Sequence, residues 1–282
     1  MNDDDPGPYQ RLRLILAFFL AFSAGIPMLA QEARGLSLSI DASGLFADNY
    51  QANFYRGIPS NLNNIERVMH SEQFGYYMWI DLTDQGLITS NIGNYRQLSI
   101  EEYGQMHYQI AMQLGMGLRY DFGRNWAWLL RFDYARLTAI GQFLINSGRN
   151  NSVSLTNQEA YVACPIQGKE KRILIDLGLS KRFPISNGHF IQADLGASLN
   201  NTKVEANDIL VAGRQYSILD VWGGQSPSMG TPAYEYLNQG GIGYGGFFTL
   251  AYGLSFADGN SVLLHYTLYY SQPNLPDYTA FN

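Results

Sequence analysis

The sequence predicts an all-β protein, namely an antiparallel up-and-down transmembrane β-barrel with eight strands intended, seven of them present, and long extracellular loops. Three observations predict this fold. Seven segments alternate apolar and polar residues, which is the pattern of strands with one apolar face. Short and long connections alternate between these segments. The chain contains 29 Gly and 20 Tyr with only 15% charged residues, a composition that suits strands and long loops better than helical bundles.

The beginning of the chain, residues 1–30, is predicted to be a secretory signal peptide. Arg11 and Arg13 form a basic flank, an apolar core follows, and the small residue Ala30 precedes the expected cleavage point. A membrane anchor is the alternative, but a glycine and a proline interrupt an apolar run that is already short for a spanning helix. Residues 31–282 are then expected to form one domain, since no change of composition divides them.

The strands of this domain repeat one pattern. In QIAMQLGMGLRYDF at 109–122, every second residue from Ile110 to Phe122 is apolar, and the residues between them are polar or small. Strands of soluble proteins average about five or six residues, so the length of these segments favours a bilayer as the partner of the apolar face. The predicted strands lie at 36–46, 109–122, 126–138, 172–183, 190–200, 244–256 and 262–270.

The connections indicate how the strands are oriented. Outer-membrane barrels have short periplasmic turns and longer extracellular loops. The chain follows this rule strictly, so we expect it in the cell outer membrane with its long connections outside. The short turns lie at 123–125, 184–188 and 257–260, and the large outer loops at 48–108, 146–170 and 204–240.

Seven is an odd number of strands, whereas single-chain bacterial barrels normally have an even number. The segment SQPNLPDYTAFN at 271–282 contains two prolines and no alternation, and therefore predicts no strand. The segment FGYYMWIDL at 74–82 is a strand candidate, but a spanning strand there would upset the alternation of short and long connections. We expect a closing strand to come from a continuation of the chain, a rearranged segment or a partner.

The faces opposite the lipid carry a nearly balanced set of charged residues. An eight-stranded barrel is only just wide enough inside for side chains, and an unpaired buried charge is costly. We therefore expect arginines and carboxylates to pair in forked geometry as a structural polar core, with a narrow ion path as the alternative. The predicted interior network consists of Asp41, Arg119, Asp121, Arg131, Asp133, Arg172, Asp176, Arg182, Asp194 and His265.

The outer loops are the expected place of function. Asn61 or Asn63 is predicted to cap a short helix through 65–69, which would form a lid over the barrel mouth. The loops at 48–108 and 204–240 have more acidic than basic residues, which disfavours anionic polymers such as nucleic acid as partners. The candidate binding residues, whose rings could equally pack the loops together, are Tyr55, Tyr76, Tyr77, Trp79 and Trp222.

The sequence predicts no catalytic, cofactor-binding or metal-binding residues. His70, Ser71 and Glu72 are neighbours, but a Ser–His–acid relay needs convergent geometry rather than adjacent positions. The single cysteine, Cys164, excludes an internal disulfide framework and any CxxC pair. The segment QGGIGYGG at 239–246 lacks the lysine of a phosphate loop and leads into a strand.

Several segments resemble an outer-membrane β-barrel family of Bacteroidota, of the small eight-stranded type. The matching stretches are NFYRG at 53–57, NLNNIERV at 61–68, LIDLGLSKRFPISNG at 174–188, YSILDVWG at 216–223 and QGGIGYG at 239–245. The resemblance implies the fold and the location, and it carries over no catalytic residues. The sequence departs from such barrels because it lacks a C-terminal strand that ends in an aromatic residue.

These observations together predict a non-enzymatic outer-membrane protein that acts in surface binding, as a scaffold or as an accessory to an envelope complex. One alternative is an outer-leaflet lipid- or glycan-modifying enzyme that uses residues 70–72, and another is a narrow solute channel. The expected partners are outer-membrane lipid and other envelope proteins or an extracellular ligand, without nucleic acid and without a cofactor.

Overall fold

A computed structural model describes residues 35–61, 63–149, 160–219, 239–256 and 259–272. These residues form one antiparallel ten-stranded sheet with three short α-helices, so the predicted all-β class is confirmed. The predicted signal peptide lies outside the described residues.

Seven long strands follow one another across the sheet in chain order, and each pairs antiparallel with the next. They are β1 (Gly35–Leu45), β4 (Ala111–Gly123), β5 (Trp126–Asn146), β6 (Tyr161–Pro184), β7 (His189–Val211), β9 (Gly240–Ser255) and β10 (Ser261–Gln272). Three short strands pair at the side of this path: β2 (Ile100–Tyr103) and β3 (His107–Tyr108) with β5, and β8 (Arg214–Ser217) with β7. This order is the up-and-down order that the sequence predicts.

The sheet is rolled around a concave face. Tyr269 on β10 hydrogen-bonds to Asp176 on β6, although β7 and β9 lie between these strands in the sheet. The sheet is nevertheless not closed, because among the described residues its outermost strands β1 and β10 do not pair with each other.

Strands β5, β6 and β7 extend well beyond their predicted ends, which corrects the predicted loops. The ladder between β5 and β6 continues as far as the pair Asn146 and Tyr161. Residues 161–170 of the predicted loop at 146–170 are therefore strand, and β7 and β8 occupy the start of the predicted loop at 204–240.

The polarity of the two strand faces inverts partway along β5. Up to Tyr134 the outward side chains are apolar and the inward ones include charges, as for Trp128, which is 54% exposed, and Asp133, which is 2% exposed. Beyond that point the charged Arg136 faces outward and Leu137 is buried on the concave side. We call the part of the sheet between the short turns and the level of Tyr134 the lower half, and the part beyond it the upper half.

Strands β6 and β7 invert at the same level. Arg136 lies opposite Lys171, and Lys171 lies opposite Lys203. Lys171 pairs with Glu205 on the outer surface, and Arg136 approaches the same carboxylate at 4.0 Å. Charged groups therefore end the outward apolar surface of all three strands at one height.

The first long loop folds over the upper half and is called the cap (residues 48–108). It contains α1 (Asn49–Ala52), a 3₁₀ turn at Asn53–Arg56, α2 (Ile65–Met69), α3 (Gly75–Asp84) and a second 3₁₀ turn at Tyr95–Gln97. Its apolar side chains pack on the inward apolar residues of β5, β6 and β7. The core of this contact includes Tyr55, Ile65, Met69, Met78, Leu82, Phe143, Ile145, Cys164, Ile166 and Ile209.

Two predicted features of the cap are wrong in detail. Asn64, rather than Asn61 or Asn63, caps α2, because its side chain accepts hydrogen bonds from the backbone N–H groups of the first helical turn. The strand candidate at 74–82 lies almost entirely in α3, where Met78 and Leu82, four residues apart, face the core together. Among the described residues no helix combines the length and the apolar character needed to cross a bilayer.

Candidate functional site

Inward polar side chains of the rolled sheet form three layers. The inner layer, nearest the short turns, contains Arg119, Asp121, Ser180, Arg182, Gln192 and Asp194. The middle layer contains Asp41, Arg131, Asp133, Asp176 and Tyr269. The outer layer, under the cap, contains Tyr55, Tyr108, Glu170 and Arg172.

The inner layer is balanced in charge, with two arginines and two aspartates. Arg119 holds Asp121 in a forked pair, with Nη2–Oδ1 and Nε–Oδ2 distances of 2.7 and 3.2 Å. Its remaining nitrogen, Nη1, donates to Ser180 and Gln192. Arg182 donates to the same Gln192 oxygen.

The middle layer has one guanidinium for three carboxylates. Arg131 lies 2.7 Å from Oδ2 of Asp176 and 3.1 Å from Oδ2 of Asp133. The carboxylates of Asp41 and Asp133 both lie over Gly115, where any side chain would collide with them. The second oxygens of Asp133 and Asp176 are buried and have no hydrogen-bond partner among the described residues. This layer therefore carries an excess of negative charge and of acceptors.

The outer layer closes the polar interior beneath the cap. Tyr55 and Tyr108 both donate to Oε2 of Glu170, while Nε of Arg172 lies 2.5 Å from Oε1. Burial and the neighbouring Glu170 raise the pKa of both tyrosines, so their hydroxyls stay protonated and act as donors. The ring of Tyr55 rests on Gly168, where a Cβ atom would enter the ring.

A cavity of about 880 Å³ opens between β1 and β10 below α1. Residues 43–47 line one side of it and residues 265–271 line the other, with Arg131 and Asp133 at its base. Two further buried acceptors without a partner among the described residues, Oε1 of Gln51 and Oδ1 of Asn53, belong to side chains that line it. The cavity is therefore rich in unused acceptors.

Nine of the ten predicted interior residues lie in the three layers, and the tenth, His265, lines the cavity. Six members of the layers are absent from the predicted network: Ser180, Gln192, Tyr269, Tyr55, Tyr108 and Glu170. Glu170 falls in a predicted outer loop, and Tyr55 is a predicted surface residue. Continued alternation along β6 back to Tyr161 is the signal that places Glu170 on the inward face.

The outer surface carries a small aromatic patch on α3, made of Tyr76, Tyr77 and Trp79. Tyr76 and Tyr77 are about half exposed, and their ring centroids are 5.9 Å apart. Trp79 is fixed by a hydrogen bond from Nε1 to the carbonyl of Ile92 at 2.8 Å. Arg214 lies over the ring of Tyr77. These rings are held in place before any ligand arrives.

The other two candidate binding residues differ from this patch. Tyr55 is fully buried, which contradicts its predicted place on the binding surface, because its hydroxyl reaches Glu170 inside the sheet. Trp222 lies outside the described residues.

The side chains of the His–Ser–Glu segment turn to different partners. Nε2 of His70 lies 2.9 Å from the carbonyl of Leu98. Ser71 donates to the carbonyl of Val68 and accepts a hydrogen bond from the backbone N–H of Phe74, the residue before α3. Glu72 lies 3.6 Å from Arg96 on the surface. The segment therefore forms no relay in this structure.

Cys164 is buried in the cap core, and this burial raises the pKa of its thiol to about 12. A thiol in such an environment is unreactive while the cap is closed. Within the described ranges no group of three or more His, Cys, Asp or Glu side chains is placed to hold a metal ion.

Comparison with known proteins adds no further assignment: no family model, curated protein or solved structure matches this chain. The resemblance to a Bacteroidota barrel family stays a prediction.

Proposed function

We propose that this chain is an outer-membrane β-barrel protein that acts without catalysis at the cell surface, in binding, as a scaffold or as an accessory to an envelope complex. The observation that carries the proposal is the inversion of polarity at one height on β5, β6 and β7. Below that height the outward face suits lipid and the concave face suits a polar interior. Above it both faces suit a folded domain in water.

The outward surface of the lower half supports a lipid environment. It consists of large apolar side chains on all seven strands, with Leu38 71% and Ile40 87% exposed on β1. A continuous surface of this kind is far larger than the apolar patches that soluble monomers expose. Trp126, Trp128 and Phe183 lie on the same surface near the short turns, where an aromatic girdle is expected.

The membrane part is tested by quenching of tryptophan fluorescence with brominated phospholipids. In the variant W79F/W222F only Trp126 and Trp128 emit, and we expect strong quenching when the refolded protein is placed in brominated bilayers. The matched variant W126F/W128F/W222F keeps only Trp79, which lies on α3 in the cap, and should be quenched far less. Equal quenching of the two variants would show that the outward apolar surface of the lower half does not lie in lipid.

The binding part rests on the aromatic patch of α3. Pre-positioned aromatic rings beside a cation supply contact area at a low entropic cost, which suits a protein or sugar surface. The dispersed contacts of His70, Ser71 and Glu72 support the non-enzymatic form of the proposal. The outer layer, with Tyr55 and Tyr108, closes the polar interior beneath the cap. This closure favours a binding protein over an open channel.

Surface binding is tested with a photo-crosslinking amino acid in place of Tyr77, compared with the same substitution at Glu101, which is exposed on the cap away from the patch and from the cavity. We expect irradiation of intact cells to give a discrete adduct from position 77 and none from position 101. Adducts from both positions, or from neither, would remove the patch as the binding surface.

A further inference from the structure

Four cationic side chains lie together on the outer surface of the sheet, at the level where the polarity of its faces inverts. Arg136 on β5, Lys171 on β6 and Lys203 on β7 stand opposite one another in the register of the sheet. Lys169 lies two residues further up β6 and is exposed on the same face. We call these four residues the cation patch.

The cation patch contains more positive than negative charge. Glu205 pairs with Lys171 and lies 4.0 Å from Arg136. Among the described residues, Lys169 and Lys203 form no ion pair. Four cations and one carboxylate give this surface a net charge of +3, whereas the whole chain has a net charge of −6. The patch therefore differs in sign from the protein around it.

The arrangement of the cation patch is unfavourable without an anion. Like charges that lie directly opposite each other on one face of a sheet destabilise the sheet, and Lys171 has Arg136 on one side and Lys203 on the other. Asp208, the next acidic residue along β7, accepts a hydrogen bond from Gln215 of β8. A negatively charged ligand on the patch would offset the repulsion between the three neighbouring cations.

The surface directly below the cation patch is apolar. Tyr134 and Ile173 pair in register one step below the patch, and both are exposed on the outer face. Leu199 continues this exposed apolar surface on β7. Lysine and arginine stems lie along apolar surface while their charged ends stay in water. A ligand that matches both surfaces has an anionic group attached to apolar chains.

We propose that the cation patch binds the phosphate group of an anionic lipid in the leaflet on the cap side of the membrane. The phosphate lies among Lys169, Lys171 and Lys203, and the acyl chains lie along the outward apolar surface of the lower half. Lysine binds phosphate as a point charge, and basic residues beside a membrane-spanning segment bind anionic head groups. This inference rests on the proposed membrane location and adds a class of lipid to it.

The test is native mass spectrometry of the chain refolded in detergent micelles. The protein is titrated with dioleoyl phosphatidic acid and, separately, with dioleoyl phosphatidylcholine, which has the same acyl chains and a zwitterionic head group. We expect the first molecule of phosphatidic acid to bind at least about tenfold more tightly than the first molecule of phosphatidylcholine, because the excess of cations attracts its phosphate.

The variant K169Q/K203Q removes the two cations that have no carboxylate partner, and it should bind the two lipids with nearly equal affinity. The matched variant R124Q/K181Q also removes two cations, but these lie at a short turn at the opposite end of the sheet, where Lys181 donates to the carbonyl of Arg124. It should keep the preference for phosphatidic acid.

Equal affinity of the unchanged chain for the two lipids would overturn the inference, as would the same loss of preference in both variants. Displacement of phosphatidic acid by an equal concentration of glycerol 3-phosphate would assign the patch to a soluble anion and would also overturn it. Strong quenching of Trp126 and Trp128 by brominated lipid, combined with equal lipid affinities, would remove this inference alone. Absence of that quenching would remove the membrane location and the inference together.

Discussion

Replacing Arg131 with alanine is expected to lower the free energy of unfolding by about 3–5 kcal/mol. Arg131 is the single guanidinium shared by Asp133 and Asp176, both of which are buried. Its removal leaves two neighbouring carboxylates in a site with few other donors. The cost of an uncompensated buried charge exceeds that of any lost exposed ion pair.

The measurement is a urea titration of the refolded protein in micelles, followed by tryptophan fluorescence. Arg136 is the matched control, because it lies on the same strand with its side chain 67% exposed. The variant R136A should change the midpoint little. The triple variant R131M/D133N/D176N should recover part of the loss, because it removes the charges together with their partner. Equal midpoints for R131A and R136A would show that the middle layer does not stabilise the fold.

Replacing Tyr55 with alanine is expected to destabilise the cap by about 3–5 kcal/mol, the cost of removing a buried aromatic side chain. The ring of Tyr55 packs on Gly168 in the cap core, and its hydroxyl donates to Glu170. The substitution therefore creates a cavity and removes one donor from a buried carboxylate.

Cys164 reports this change, because it is the single cysteine of the chain and is buried in the same core. A loss of about 3 kcal/mol corresponds to labelling of Cys164 by a thiol reagent that is at least about a hundredfold faster. The variant Y55F keeps the ring and loses the hydroxyl, so its effect should be much smaller. Tyr50 is 80% exposed, and Y50A should leave the labelling rate unchanged. Unchanged labelling in Y55A would mean that Tyr55 does not hold the cap closed.

The lower half could be predicted well because its two faces meet different environments over short distances in the chain. Every second residue of β4 is large and apolar, so the strand and its outward face follow from the alternation alone. The corresponding alternation along the other long strands places, together with β4, nine arginines and aspartates on the concave side. It does not say which of them meet, because Arg131 and Tyr269 come together only when the sheet rolls.

The upper half was underestimated because its alternation changes sign. At Arg136 and Leu137 the apolar residues move from the outward to the inward face, and a search for an unbroken apolar stripe ends there. The segment at 74–82 is a strand candidate in the sequence but forms most of α3 in the structure. The contact of Met78 and Leu82 with the cap core decides in favour of the helix.

The sequence by itself determined the all-β class, the chain-order antiparallel sheet and the inward face of most charged residues. These properties depend on neighbours two residues apart and on the lengths of the connections. Tertiary structure alone decided the three polar layers, the burial of Tyr55 on Gly168, the excess of negative charge in the middle layer and the cavity below α1. These features depend on the curvature of the sheet, which decides which strands distant in the sequence face each other. The local alternation of residues does not encode that curvature.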